Sequence, residues 1–242
     1  MALSHNPRIV TDGLVLCLDA ANPKSYPGSG TTWFDLSGNG NNGTLLNGVG
    51  YSSNNKGSMV FDGVDDTVSI NKDVDPSPNP FTAFLWFKYT RTSGYSFSHL
   101  IDNLSYNSDI GWHSSIARYN TFQGQVSFRY VDYTRKPGSD GFNILSSHTN
   151  LDNGDWHLAT YLWDGSTDTN SVKIYINGEI SQIGTSSLSN TSRVKDIKLG
   201  KGNHGNGIPF MGYNSSFFIY DRILTASEIQ QNFQALRGRY GI

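Results

Sequence analysis

Apolar residues alternate along Val172-Lys173-Ile174-Tyr175-Ile176 and stop at Asn177-Gly178. A period of two puts Val172, Ile174 and Ile176 on one face of a strand and Lys173 and Tyr175 on the other. Asn-Gly supplies the two positive-φ residues of a tight turn, so the chain is predicted to return as a hairpin through Ile180 to Ile183. Related patterns predict strands at Leu14 to Asp19, Phe81 to Tyr89, Gly124 to Tyr133, Trp156 to Leu162 and Phe217 to Tyr220. Met59 to Phe61 and Thr67 to Ile70 read as short strands around the turn Asp62-Gly63-Val64-Asp65-Asp66.

Between these runs the pattern weakens. Ala20 to Gly50 reads as a long loop pinned by Trp33, Phe34 and Leu36, and Thr92 to Asn120 as a second loop-rich stretch. Asp75-Pro76-Ser77-Pro78-Asn79-Pro80 is a connector, because each proline lacks the donor a central strand needs. Near the end the period changes to that of a helix. Thr225-Ala226-Ser227-Glu228 forms a capping box, Ile229, Phe233 and Leu236 follow at helical spacing, and Gly238 stands where a glycine would end the helix. The helix is expected to close one edge or end of a sandwich. Residues 1–12 are polar and read as an N-terminal arm that packs on a neighbour or frays, leaving 13–242 as one domain.

Composition narrows the function classes. Among 242 residues, 16% are charged and the net charge is −2, which argues against a nucleic-acid partner. Aromatics at 13% and 26 glycines suit many strands joined by tight turns. The apolar runs Leu14 to Leu18 and Phe84 to Phe87 are far shorter than the roughly 20 residues of a membrane span, so no membrane insertion is expected. Met1 to Arg8 lacks the apolar segment of a signal peptide, so an extracellular role implies release by lysis or within a particle. Cys17 is the single cysteine, excluding an internal disulfide or a thiolate metal cluster; its apolar neighbours predict a buried, inert thiol.

In order along the chain stand Asp35-Leu36-Ser37-Gly38-Asn39-Gly40-Asn41-Asn42-Gly43, Phe61-Asp62-Gly63-Val64-Asp65-Asp66 and Asp155-Trp156-His157. The hairpin Tyr175 to Glu179, Ile197-Lys198-Leu199-Gly200 and Tyr220-Asp221-Arg222-Ile223-Leu224 complete the series. With this order and spacing the chain resembles the LamG-like branch of the concanavalin A-like lectin and glucanase superfamily. That resemblance implies an all-β jelly-roll sandwich of two antiparallel sheets with a short C-terminal helix. The opening Gly13 to Ala20, running on to Tyr26-Pro27-Gly28, looks most like versions found in structural proteins of tailed bacteriophages. The superfamily includes lectins, glycosidases and structural modules, so function must be argued from the residues.

Hydrolysis of glycosides needs two carboxyl groups facing across a cleft. The superfamily's glucanases carry Glu-x-Asp-x-Glu on one strand, and no such motif occurs here. The two glutamates have structural explanations: Glu179 follows the hairpin turn and Glu228 completes the helix cap. None of the six histidines shows paired metal spacing or a link to a nucleophile elbow, so no catalytic residue is assigned. Calcium is the candidate cofactor. Asp35, Ser37, Asn39 and Asn41 reproduce the first half of an EF-hand loop, but Leu46 replaces its closing glutamate; Asx-turns explain the same residues. Asp62, Asp65 and Asp66 form a second candidate cluster. Glycan binding would use exposed aromatic faces and nearby polar groups, and Tyr95, His99, Tyr106, Trp112, His113, Tyr119 and His204 are the candidates. Trp33, Trp86, Trp156 and Trp163 read as core or cap anchors.

These expectations converge on a non-enzymatic virion protein, a capsid decoration, tail or fibre component that binds partner virion proteins, forms a homo-oligomer and adheres to host surface glycans. Two alternatives are a soluble calcium-dependent lectin and a glycoside hydrolase.

Overall fold

The computed structural model describes residues 7–77, 79–90, 97–104, 110–117, 124–132, 140–188, 196–202 and 208–242. The strands are β1 (Leu14–Asp19), β2 (Thr32–Trp33), β3 (Gly43–Leu46), β4 (Gly50–Ser52), β5 (Ser58–Asp62), β6 (Thr67–Ile70), β7 (Phe81–Thr90) and β8 (Phe97–Asp102). They continue with β9 (Ile110–Ala117), β10 (Val126–Asp132), β11 (Asp140–Leu145), β12 (Asn153–Trp163), β13 (Val172–Ile176), β14 (Glu179–Gly184), β15 (Ile197–Gly200) and β16 (Met211–Tyr220). One helix, α1 (Ala226–Leu236), follows.

Two eight-stranded antiparallel sheets face each other as a jelly-roll sandwich. The first runs β14-β13-β12-β7-β16-β5-β4 with β1 beside β16, and the second runs β11-β10-β9-β8-β15-β6-β3-β2. Inward-facing side chains fill the space between them: Phe81 stands between Trp112, Phe128 and Trp163, and Tyr130 stacks on Trp163 at 5.3 Å. Strand β7 is buried on both faces, because the outer side of the first sheet is covered as well. There Trp86 lies against Tyr240 at 4.1 Å and Phe233 at 5.8 Å, while Ile229, Phe233 and Leu236 bring the apolar stripe of α1 onto the sheet. The helix thus roofs a sheet face, where the sequence led us to expect it over an edge or end.

The hairpin forms as predicted. Asn177 and Gly178 take φ of 52° and 84°, and Val172, Ile174 and Ile176 are buried while Glu179 is exposed. Asn177 also binds back to β12, its Oδ1 accepting from the Leu158 N–H at 2.9 Å and its own N–H donating to the Leu158 carbonyl at 2.9 Å. Strands β2 and β3 arise within the segment expected to be loop, and β8 and β9 within the second. The Asp62 to Asp66 turn joins strands of different sheets, so it crosses the sandwich and does not close a hairpin. Gly238 lacks a positive φ; the helix instead runs into a 3-10 turn over Arg237–Arg239.

Residues 8–12 dock on the helix side of the domain. The Val10 N–H donates to Asn232 Oδ1 and its carbonyl accepts from the Tyr220 hydroxyl, both at 2.8 Å, and Gln231 donates to the Arg8 carbonyl at 2.7 Å.

The capping box is present in full. Glu228 accepts from the Thr225 N–H at 2.8 Å and from both terminal nitrogens of Arg222 at 2.6 and 3.1 Å. The Arg222 guanidinium, helped by the Thr225 N–H, holds the carboxyl at about 2 against an ordinary 4.5. Its stabilisation is complete above pH 4.5 and fades as pH falls through about 2. Glu228→Gln is therefore expected to cost about 1–2 kcal/mol at neutral pH, discounted for partial exposure. In denaturant titrations at stepped pH, wild type and variant should converge in strong acid.

Candidate functional site

Strand β1 carries a bulge at Val15, since Leu14 pairs with Tyr220 and Leu16 with Ile219. The Val15 carbonyl turns to the Asp35 loop, where the side-chain amides of Asn39 and Asn41 donate to it at 3.2 and 2.8 Å. Asp35 is filled by donors: Oδ1 accepts from the Cys17 and Ser37 N–H groups at 2.8 and 2.9 Å. Its Oδ2 accepts from the Ser37 hydroxyl at 2.6 Å and the Asn41 N–H at 3.0 Å. Hydrogens already surround the oxygens that a cation would need. Asp35, Ser37, Asn39 and Asn41 hold the β1 edge through Asx- and Ser-turns, which favours the Asx-turn explanation of this loop over the calcium one. The glycines alone, Gly38 and Gly40, carry the positive φ.

Fixing both amide nitrogens on Val15 leaves Asn39 Oδ1 and Asn41 Oδ1 as the acceptors of these side chains. Beside them opens a groove of about 510 Å³ lined by Val15, Asn39, Asn41, Asp73, Val74, Pro76, Asn79 and Asp221. Its walls come from the β1 bulge, the Asp35 loop, the connector after β6 and the residue that follows β16. Asp73 and Asp221 are exposed, Val74 and Pro76 buried. Ligand pockets typically span about 300–1,000 Å³ and combine apolar contacts with a few fixed polar groups, as this one does. Asp73, Asn79 and Asp221 were not among the sequence candidates.

The turn after β5 gathers Asp62, Asp65 and Asp66, with one carboxylate oxygen of each within 4.8 Å of the others. Asp66 is 3% exposed; its Oδ2 accepts from the Asp62 N–H at 2.9 Å and its Oδ1 is buried with no hydrogen bond. Burial pushes its carboxyl upward, and the charges of Asp62 and Asp65 add to this against the pull of the Asp62 N–H. Hard cations take about six to eight oxygens, so this turn could supply only part of such a shell; it is the better-fitting of the two candidate metal sites.

The three glycan candidates within the described residues, Trp112, His99 and His113, form no exposed rim. Trp112 is fully buried between the sheets, against Phe81 and Phe128, and is a core residue with no face for a sugar. His99 and His113 lie on the outer side of the second sheet, 5.5 Å apart by ring centroids, but are only 7% and 9% exposed. Their row across the sheet, Ser69, Lys198, Asp102, His113, Arg129 and Asn143 in strand register, is closed at its centre by the fully buried Asp102. Gly202 sits on that carboxylate, where a Cβ would overlap it. Tyr95, Tyr106, Tyr119 and His204 lie outside the described residues. Trp33, Trp86, Trp156 and Trp163 are buried anchors as read from sequence. The Cys17 thiol is pushed up to about 12 by burial, with the Asp19 and Asp35 charges adding, so it stays protonated and unreactive.

Fold and groove together define a lectin-type antiparallel sandwich with a polar surface site. The chain belongs to the concanavalin A-like lectin/glucanases superfamily, whose Laminin_G_3 family model matches residues 61–230. Among solved structures, the binding domain of Paraclostridial Mosquitocidal Protein 1 is similar at 20% identity and a TM-score of 0.70, over 92% of this chain and 52% of that one. The receptor binding domain of botulinum neurotoxin C/D mosaic serotype is similar at 16% identity and 0.69, over 93% and 52%. The binding domain of botulinum neurotoxin DC, solved with rat synaptotagmin II, follows at 17% and 0.67, over 94% and 52%. The chain thus spans about half the length of each, and at these identities the likeness shows the fold. Among curated protein sequences, none matches the chain.

Proposed function

We propose that the protein is a non-enzymatic recognition module that binds host surface glycans in the groove beside the β1 bulge. The observation that carries this reading is the groove itself, in which two amides oriented by one backbone carbonyl stand next to Val15, Val74 and Pro76. Such a site offers hydrogen-bond acceptors and a small apolar surface, the combination a sugar ring needs. Display on a tailed-phage virion, as a capsid, tail or fibre component, is supported by the resemblance of the Gly13 to Gly28 segment. Many copies on a particle would turn weak single-site binding into firm adhesion. The similar binding domains of toxins support recognition as a use of this fold by analogy alone.

Asp73 and Asp221 share the groove, which gives a hydrolase a specific footing. Both residues are exposed, unlike a general acid enclosed in an apolar pocket. Glu228 is committed to Arg222 and the helix cap, and Glu179 to an exposed strand position. The three-carboxylate turn favours calcium dependence as a second reading, which a chelator tests.

A glycan array probed with the purified chain is expected to show binding that survives chelator, with every bound glycan recovered at its original length. Shortened glycans would establish a hydrolase, and loss of all binding with chelator would establish the calcium-dependent lectin. Mass spectrometry of purified particles should find the chain; its absence would remove the virion role.

A further inference from the structure

Residues 8–10 are gripped through their backbone. Gln231 Nε2 donates to the Arg8 carbonyl at 2.7 Å and the Tyr220 hydroxyl to the Val10 carbonyl at 2.8 Å, while the Val10 N–H donates to Asn232 Oδ1 at 2.8 Å. Asn232 Nδ2 also donates to the Tyr220 hydroxyl at 3.1 Å, so two linked, fully buried side chains hold both polar groups of one residue. The Val10 side chain joins the apolar cluster beneath α1, with Ile9 packed against it. Helix α1 and the end of β16 thus form a receptor for a chain segment, and the sequence that fills it is this chain's own. A turn joins that segment to β1. The Leu14 N–H donates to the Thr11 carbonyl at 3.2 Å, Gly13 takes φ of 73°, and Arg222 Nε reaches the Asp12 carboxylate at 2.9 Å. A Cβ on Gly13 would stand 2.9 Å from Asp221 Oδ1 and 3.0 Å from Arg222 Cγ, so the closed turn demands glycine. An opened, extended chain has no positive φ there and makes no such demand.

We propose that residues 8–10 exchange between two copies of this chain, each arm seating in the other's receptor while residues 11–13 open into a hinge. The exchanged pair keeps the bonds to Gln231, Tyr220 and Asn232 and gives up only those of the turn, and for that reason swapping an element between identical protomers costs little. Because each copy both gives and receives an arm, the contact closes as a dimer and does not propagate. The short turn gives an arm a high effective concentration at its own receptor, so exchange sets in as copies are concentrated. The inference is independent of what the groove binds.

The test mixes two full-length variants, Arg8→Cys and Gln231→Cys, both at exposed positions, under mild oxidation. Cys17 is buried and stays protonated, so it does not compete. At about 1 mM, the scale of the effective concentration a short linker gives, a disulfide-linked dimer of mixed mass is expected. Its yield should exceed by at least about threefold that of Arg8→Cys mixed with Thr44→Cys, an exposed control on the other sheet, and should fall at least about tenfold on hundredfold dilution. Gly13→Val strains the closed turn alone, since a β-branched residue resists positive φ. It should raise the dimer fraction in gel filtration with light scattering at least about threefold over wild type. Gly13→Ala is the milder variant should valine impair folding. A mixed disulfide no more abundant than the control would overturn the proposal. So would a Gly13→Val or Gly13→Ala chain that stays monomeric while its Val10 amide loses protection from hydrogen exchange, because the opened arm would then fray and not seat on a second copy.

Discussion

Trp112→Ala is expected to lower the unfolding free energy by about 3–5 kcal/mol, read from the midpoint and slope of a urea titration. The side chain is fully buried, 5.2 Å from Phe81 and 6.0 Å from Phe128, and its removal leaves a cavity between two sheets that cannot collapse freely. A polar loss adds to the cavity. Trp112 Nε1 donates to Asp75 Oδ1 at 3.2 Å, and Asp75 is itself 1% exposed. Trp112→Phe keeps most of the volume and loses that donor, so it should cost about 1–3 kcal/mol, between wild type and alanine. A sugar platform would behave in the opposite way: alanine would leave stability within about 0.5 kcal/mol and abolish binding.

The second large effect is expected at Arg239. Its Nη1 donates to both oxygens of Asp19 at 2.7 and 2.8 Å, and the two side chains are 22% and 9% exposed. This pair ties the turn after α1 to the end of β1, next to the Trp86 and Tyr240 stack. Arg239→Met keeps an apolar stem but strands a largely buried carboxylate, at a cost of about 3 kcal/mol. Adding Asp19→Asn should recover part of that loss, because the stranded charge is gone. Strict additivity of the two substitutions in a double-mutant cycle would show that the pair carries no coupling.

Sequence pattern reached the elements whose two faces differ. The β13–β14 hairpin was legible because buried Val172, Ile174 and Ile176 alternate with Lys173 and Tyr175 before a turn that demands positive φ. Strand β7 was legible by its apolar run, although its sequence could not say that α1 covers the second face. Strands β8 and β9 were hidden, because His99, Asp102, His113 and Ser115 interrupt the apolar pattern and are nonetheless buried. The aromatic content of that stretch suggested an exposed rim, yet its central tryptophan fills the core. Strands β2 and β3 are too short, at two and four residues, to show a period.

The candidate site was legible in halves. The Asx-turn chemistry of Asp35 to Asn41 could be read locally, as could the Asp62 to Asp66 cluster. The bulge that exposes the Val15 carbonyl could not, because it depends on pairing with Tyr220 and Ile219. Asp73 and Asp221 join one groove from positions 148 residues apart, and no local periodicity carries that information. Both follow from β6 and β16 ending at the same place in the sandwich.

The most direct test is an amide-detected NMR titration of the chain with a glycan that it binds. Shifts concentrated at Val15, Asn39, Asn41, Val74, Asn79 and Asp221, with the glycan intact at the end, are the predicted result. Shifts confined to surfaces away from the β1 bulge, or a glycan shortened during the titration, would contradict it.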